Sequence, residues 1–155
     1  MTARLVFDCM VYLQAAANGN GPAGECLRRA ELGEFELCIS PEVTAEIADV
    51  LSRPKTRKKL KALTPETVRR FLRRLANFVT VVTAVPKVVT LLRDPKDEKY
   101  LNLAIAADAR VIVSRDLDLL TLMNADDPAG TAFRAAHPAI LILEPAAFLA
   151  TLPTV

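Results

Sequence analysis

Five short apolar runs recur along the chain, with helix-like segments between them: Arg4–Phe7, Phe35–Ile39, Phe78–Val82, Val111–Val113 and Ile140–Leu143. Consecutive β-branched and aromatic positions in such short runs suit strands covered on both faces. Strands that alternate with helices predict a parallel sheet, an α/β sandwich.

The intervening segments have recognisable ends. Helices are predicted over Val11–Ala17, about residues 23–33, from Pro41, from Pro65, over Asp97–Ala109, over Leu117–Met123 and over Pro145–Leu152. Gly33 suits the position just past a helix. Ser40-Pro41 reads as an N-cap and first helical residue, because Ser accepts an orphan amide and Pro has none to lose. Val43, Ile47, Val50 and Leu51 form a core-facing stripe, as do Val68, Phe71, Leu72 and Leu75. Asn18–Pro22 reads as a loop, and residues 124–138, rich in Asp, Gly and Pro, as an irregular one.

With 155 residues and neither a repeat nor a long linker, one domain over residues 1–155 is expected. Disorder is excluded by 52% hydrophobic residues against 25% charged. No run reaches the roughly 18 apolar residues of a membrane span, and no signal peptide is expected. Cys9, Cys26 and Cys38 contain no C-x-x-C pair and fit reduced thiols of a cytoplasmic protein. His137 is the one histidine. It argues against a nucleophile–His mechanism and against a structural zinc site. Carboxylates are what remain for catalysis.

Ligands of open α/β sheets bind beyond the carboxyl ends of the strands. Asp8 ends the first run and Asp116 follows the fourth by two residues. Glu46 lies on the helix after Ile39, and Asp97 begins the helix that feeds the fourth strand. Four separate chain segments thus bring carboxylates towards one edge. Packed carboxylates repel unless a cation lies between them, and an all-oxygen set suits Mg²⁺ or Mn²⁺. Such ions support hydrolysis of phosphodiesters. Each acid also has a plainer role: Asp8 and Asp116 as helix N-caps, Glu46 on a solvated helix face, Asp97 in a charged turn.

These residues resemble the PIN domain family, particularly its toxin branch related to VapC-type ribonucleases. The resemblance rests on the strand ending in Asp8, on Ser40-Pro-Glu-Val-Thr-Ala-Glu46 with Val50-Leu-Ser-Arg-Pro54, and on Arg93-Asp-Pro-Lys-Asp97. Val113-Ser-Arg-Asp116-Leu-Asp-Leu-Leu120 and Glu144-Pro-Ala-Ala-Phe-Leu149 complete it. It implies a three-layer α/β/α sandwich around a mostly parallel sheet, and Mg²⁺- or Mn²⁺-dependent cleavage of RNA. By motif position the catalytic and metal-binding acids are Asp8, Glu46, Asp97 and Asp116, with Ser114 as the small hydroxyl residue beside the last acid. Glu98 adjoins Asp97 and is the alternative third acid, although motif position favours Asp97. A cognate antitoxin and a homodimer follow from the resemblance alone. The family usually follows its first Asp with Thr-Asn; here Cys9-Met10 stand there, and Met10 lacks the amide of Asn.

The formal charge of +2 conceals a division. Residues 53–74 carry ten basic side chains and one acid, a segment of +9 that leaves −7 for the remainder. Lys55, Arg57, Lys58, Lys59, Arg69, Arg70 and Arg73 are candidates to track an RNA backbone, since phosphate contacts are electrostatic and blind to sequence. A solvated helical pair or a surface for an acidic protein is the competing use of that charge.

Two further classes compete with a nuclease. A catalytically degenerate PIN-like module would bind proteins, a reading that Met10 motivates. A phosphoryl-transfer enzyme with Asp8 as nucleophile would want a second Asp at position 10, where Met10 stands.

Overall fold

The computed structural model describes residues 2–91 and 93–153. Five parallel strands form the sheet: β1 (Arg4–Phe7), β2 (Glu36–Ile39), β3 (Thr80–Val81), β4 (Val111–Val113) and β5 (Leu141–Leu143), in the order β3-β2-β1-β4-β5. Register pairs Leu5 with Leu37 on one side and with Val111 on the other. Strands 1 to 3 step one way across the sheet and strands 4 and 5 lie the other way. Right-handed crossovers therefore put the helices of the two halves on opposite faces, which gives the three-layer α/β/α sandwich. The point of reversal lies between β1 and β4, where Asp8 N–H donates to the Val113 carbonyl at 3.1 Å. A crevice at such a point is where open α/β sheets hold ligands.

The helices begin as local chemistry dictates. α1 (Cys9–Ala17) starts two residues before the predicted Val11, because the Asp8 side chain accepts from Val11 N–H. α2 (Pro22–Glu31) ends before Gly33, whose φ of +83° is left-handed and natural for glycine. α3 (Pro41–Ser52) is capped by Ser40, whose Oγ accepts from Val43 N–H at 3.1 Å, and it buries Val43, Ile47 and Leu51. The basic run that follows folds as α4 (Pro54–Lys59), a helix with no buried side chain. α5 (Pro65–Ala76) starts at a capping box between Thr64 and Thr67. Val68, Phe71 and Leu75 are its buried stripe. Fully burying a Leu or Phe of this kind stabilises the fold by roughly 1.5–3 kcal/mol.

Three predicted elements are corrected. The strand predicted over Phe78–Val82 is only Thr80–Val81, paired with Cys38 and Ile39 at the sheet edge. Phe78 and Val79 N–H instead bond back to the Leu75 carbonyl and finish α5. The helix predicted over Asp97–Ala109 is a 3-10 turn, Pro95–Asp97, continued by α6 (Glu98–Ala106). It stops there because Ala107 N–H caps it and Asp108 takes a φ of +54°. The segment 124–138, predicted irregular, contains α8 (Pro128–Ala136) after α7 (Leu117–Leu120) and a 3-10 turn at Thr121–Met123. Asp127 caps α8 by accepting from Gly130 N–H at 2.8 Å, and Pro128 is its first residue. α9 (Pro145–Ala150) closes the described chain.

The core is continuous from Leu5, Val6 and Phe7 through Leu101, Leu103 and Ile112, all at most 1% exposed. The three cysteines are unpaired, and His137 stacks on Phe133 at 5.3 Å. Among the described residues no helix is long and apolar enough to cross a membrane.

Candidate active site

Asp8, at the carboxyl end of β1, is 2% exposed and accepts three hydrogen bonds. Oδ1 accepts from Val11 N–H at 3.0 Å. Oδ2 accepts from Arg115 N–H at 3.2 Å and from the Ser114 hydroxyl. Three donors on about four lone-pair positions leave one free for another partner. Burial pushes the Asp8 carboxyl above its usual range, against the hydrogen bonds from Ser114, Val11 and Arg115 that hold it down.

Ser114, wholly buried at the end of β4, carries the connection onward. Its Oγ accepts from Asp116 N–H at 2.9 Å while its proton goes to Asp8. One hydroxyl thus fixes the spacing of two acids from two neighbouring strands. Asp116 in turn caps α7, with Oδ1 accepting from Asp118 N–H at 2.8 Å.

Asp97, the last residue of the 3-10 turn that leads into α6, meets Asp116 at this edge. Asp94, Asp97, Asp116 and Asp118 each present one carboxylate oxygen within 4.8 Å of the other three. Asp97 is 6% exposed, and as a carboxylate its Oδ2 is buried with no donor to accept from. An unpartnered buried carboxylate oxygen is costly. Burial, then the neighbouring charges of Asp116 and Asp94, push the Asp97 carboxyl up to about 8. The donor set is all oxygen, one member is orphaned, and repulsion is stored among the four. These residues fit a hard divalent cation such as Mg²⁺ or Mn²⁺.

Asp94 and Asp118 were not among the acids expected from the sequence. A 3-10 turn eclipses positions i and i+3, so Asp94 at the cap of Pro95–Asp97 stands beside Asp97. Asp118 enters because its own N–H binds Asp116 and folds the first turn of α7 back on the cap. Arg93 holds this corner: it donates to the Asp118 carbonyl at 2.7 Å and to both oxygens of Asp127, at 2.9 and 3.1 Å. Nothing in the sequence marks a contact across 34 positions.

Glu46 lies outside the four-aspartate group. Its Oε1 accepts from the Tyr100 hydroxyl, and its Oε2 pairs with Lys99 Nζ at 2.8 Å. Tyr100 Oη also accepts from Cys9 N–H at 3.1 Å, so Glu46 is tied to the start of α1 just after Asp8. Burial, with Glu46 and Asp8 nearby, pushes the Cys9 thiol up to about 12, which keeps it protonated. Glu98 faces away from the aspartates: Oε1 accepts from Leu91 N–H at 2.9 Å and Oε2 lies 3.6 Å from Lys87 Nζ. Of the two adjacent candidates, Asp97 is the one in the cluster.

The basic block is divided. Lys55 and Lys59 on α4 line a groove that also reaches Met10 and Arg115. Lys58 is exposed on the same helix, and Arg57 is half-buried. On α5, Arg70 pairs with Glu66 at 2.9 Å, whereas Arg69 and Arg73 are exposed.

The sequence model of the PIN domain matches residues 4–118, from the first residue of β1 to the last aspartate of the cluster. An uncharacterized protein of Methanocaldococcus jannaschii, MJ1680, is 30% identical over 123 residues, 78% of this chain and 76% of that protein. PIN domains are generally metal-dependent nucleases. A five-stranded parallel sheet of this order, an acidic crevice at its point of reversal and the match over most of its length establish that this chain belongs to the PIN domain family.

Proposed function

We propose that the protein is an Mg²⁺- or Mn²⁺-dependent endoribonuclease that hydrolyses RNA phosphodiester bonds at the carboxylate crevice. The observation that carries this reading is the buried, unpartnered Oδ2 of Asp97 among three further aspartates. Asp94, Asp97, Asp116 and Asp118 would hold the ion, with Asp8 adding its free lone pair from the far side of Ser114. A bound ion of this class acidifies water and stabilises charge on phosphoryl oxygens. Ser114 keeps Asp8 and Asp116 at a set spacing, and Arg93 fixes Asp118. Glu46 orients α1 through Tyr100 and reaches the reaction if Lys99 releases it.

The finer reading extends the family resemblance: one PIN-like domain over residues 1–155, acting in the cytoplasm as the toxin of a toxin–antitoxin pair, inhibited by a cognate antitoxin and assembled as a homodimer. Its test is cleavage of a diverse RNA pool. With Mn²⁺ or Mg²⁺ the wild type produces fragments, and Asp116→Asn or Asp8→Asn, folded by circular dichroism, produces none. An intact pool with both ions refutes the nuclease.

Two observations favour a second reading, a catalytically degenerate protein-binding module. Glu46 is occupied by Lys99 and Tyr100, and Met10 offers no hydrogen bond next to Asp8. That module would bind no divalent ion.

A further inference from the structure

A groove of about 620 Å³ runs between α1, the start of α2 and α4. It adjoins the acidic crevice through Arg115, which lines the groove while its own N–H is bound to Asp8 and its neighbours are Ser114 and Asp116. Three features set its chemistry. Met10, 43% exposed, and Leu13 give it an apolar wall. Lys55, Lys59 and Arg115 give it cations, no acidic residue lines it, and among the described residues none of the three is in an ion pair. Lys55 and Lys59, four apart on α4, share one helix face. Finally, Gln14 is half-buried in the wall, and its side-chain amide has no hydrogen-bond partner among the described residues.

We infer that this groove is a nucleobase subsite, which receives the base of a nucleotide flanking the bond to be cut; its placement relative to that bond rests on the nuclease reading above. A base of single-stranded RNA presents an apolar face and a hydrogen-bonding edge, and phosphates on either side of it. Met10 and Leu13 cover the face, Gln14 meets the edge, and Lys55, Lys59 and Arg115 neutralise the phosphates. An aspartate cluster by itself repels a polyanion, so a strand entering the crevice needs fixed cations beside it. These three are the cations that line the groove. Its volume lies in the range of small-ligand sites and suits a nucleotide better than a folded partner. With no aromatic side chain on the wall, base stacking contributes little and edge recognition sets the preference. A glutamine amide can donate and accept at once, which matches the adjacent donor and acceptor on the edge of an unpaired base.

Fluorescence anisotropy of a short labelled single-stranded RNA, in EDTA so that no cleavage intervenes, tests the subsite apart from the nuclease. Lys55→Ala/Lys59→Ala is expected to weaken binding about tenfold at low salt and to flatten the slope of log affinity against log salt by about 1.4, two phosphate contacts' worth. Arg28→Ala/Arg110→Ala, equal in charge removed but outside both the groove and the basic segment, is expected to change affinity less than about twofold. Homopolymeric A, C and U strands then read the base: wild type separates the tightest from the weakest by about fivefold or more, and Gln14→Ala binds the three alike. Equal weakening by the two double variants, or no RNA affinity in the wild type, overturns the subsite and leaves the groove to a polypeptide. An unchanged preference in Gln14→Ala overturns the base reading. Groove-dependent RNA binding by a protein that cuts nothing supports the subsite and rejects the nuclease.

Discussion

Asp8 and Asp116 each cap a helix and each face the acidic crevice, so the structural and chemical roles of these side chains coincide. Removing Asp8 therefore takes more than a charge. Asp8→Ala deprives Val11 N–H of its cap and leaves the buried Ser114 hydroxyl and Arg115 N–H unpaired, a cost of roughly 2–4 kcal/mol. Urea denaturation measures it, and Asp8→Asn, which keeps one acceptor oxygen, loses less. Asp97 behaves in the opposite sense. Its carboxyl, raised from 3.8 to about 8, keeps its proton in the folded protein at pH values where the unfolded chain has lost it. Between those values the folded state binds more protons, so stability falls as pH rises, by at most about 1.4 kcal/mol per pH unit. Above about pH 8 the full loss is reached. Without metal, the melting temperature of the wild type should fall between about pH 5 and about pH 8, and that of Asp97→Asn should fall less. Equal slopes would mean that Asp97 is not the strained group. The places of Asp8, Asp97 and Asp116 in the fold were legible in the sequence because each ends or begins an element, and two of them, Asp97 and Asp116, come together in the four-aspartate group. Asp94 and Asp118 were not, since their approach depends on the tightness of a 3-10 turn and on one cap geometry.

Among the elements, start signals read correctly wherever an oxygen-bearing cap preceded proline and an apolar stripe followed. Ser40-Pro41 and Thr64-Pro65 are the cases. Asp127-Pro128 carries the same signal, yet Gly130 and the absence of a long apolar stripe made the segment look like a loop. Gly130 is there for space: a Cβ at that position would lie 2.4 Å from the Leu122 carbonyl oxygen. Gly130→Ala should push α8 from the Thr121–Met123 turn and cost roughly 1–3 kcal/mol, read as a lower melting temperature. An unchanged melting temperature would show that the packing of α8 on this turn yields freely. The strand at Thr80–Val81 was overextended in the sequence because Phe78 and Val79 have strand-like side chains. Their amides were claimed by the end of α5, a tertiary choice that side-chain pattern does not encode.

For the whole molecule, the parallel sheet was legible because five apolar runs were separated by crossovers of helical length. The strand order was not, although it creates the crevice by setting β4 beside β1. Net charge misled in the same way: +2 overall conceals an acidic crevice and a separate basic surface, of which Lys55 and Lys59 flank the groove. An ion bound in the crevice relieves the repulsion and stabilises only the folded state. Mn²⁺ at about 100 times its dissociation constant contributes about 2.7 kcal/mol, which raises the melting temperature by roughly 5–10 °C. The most direct test is calorimetric titration of Mn²⁺ into the wild type and into Asp97→Asn near pH 7, in two buffers of different ionisation enthalpy. Saturable binding that releases a proton in the wild type and disappears in Asp97→Asn is the predicted result. Absence of saturable binding at millimolar Mn²⁺, or binding that Asp97→Asn leaves intact, would contradict a metal centre built on Asp97.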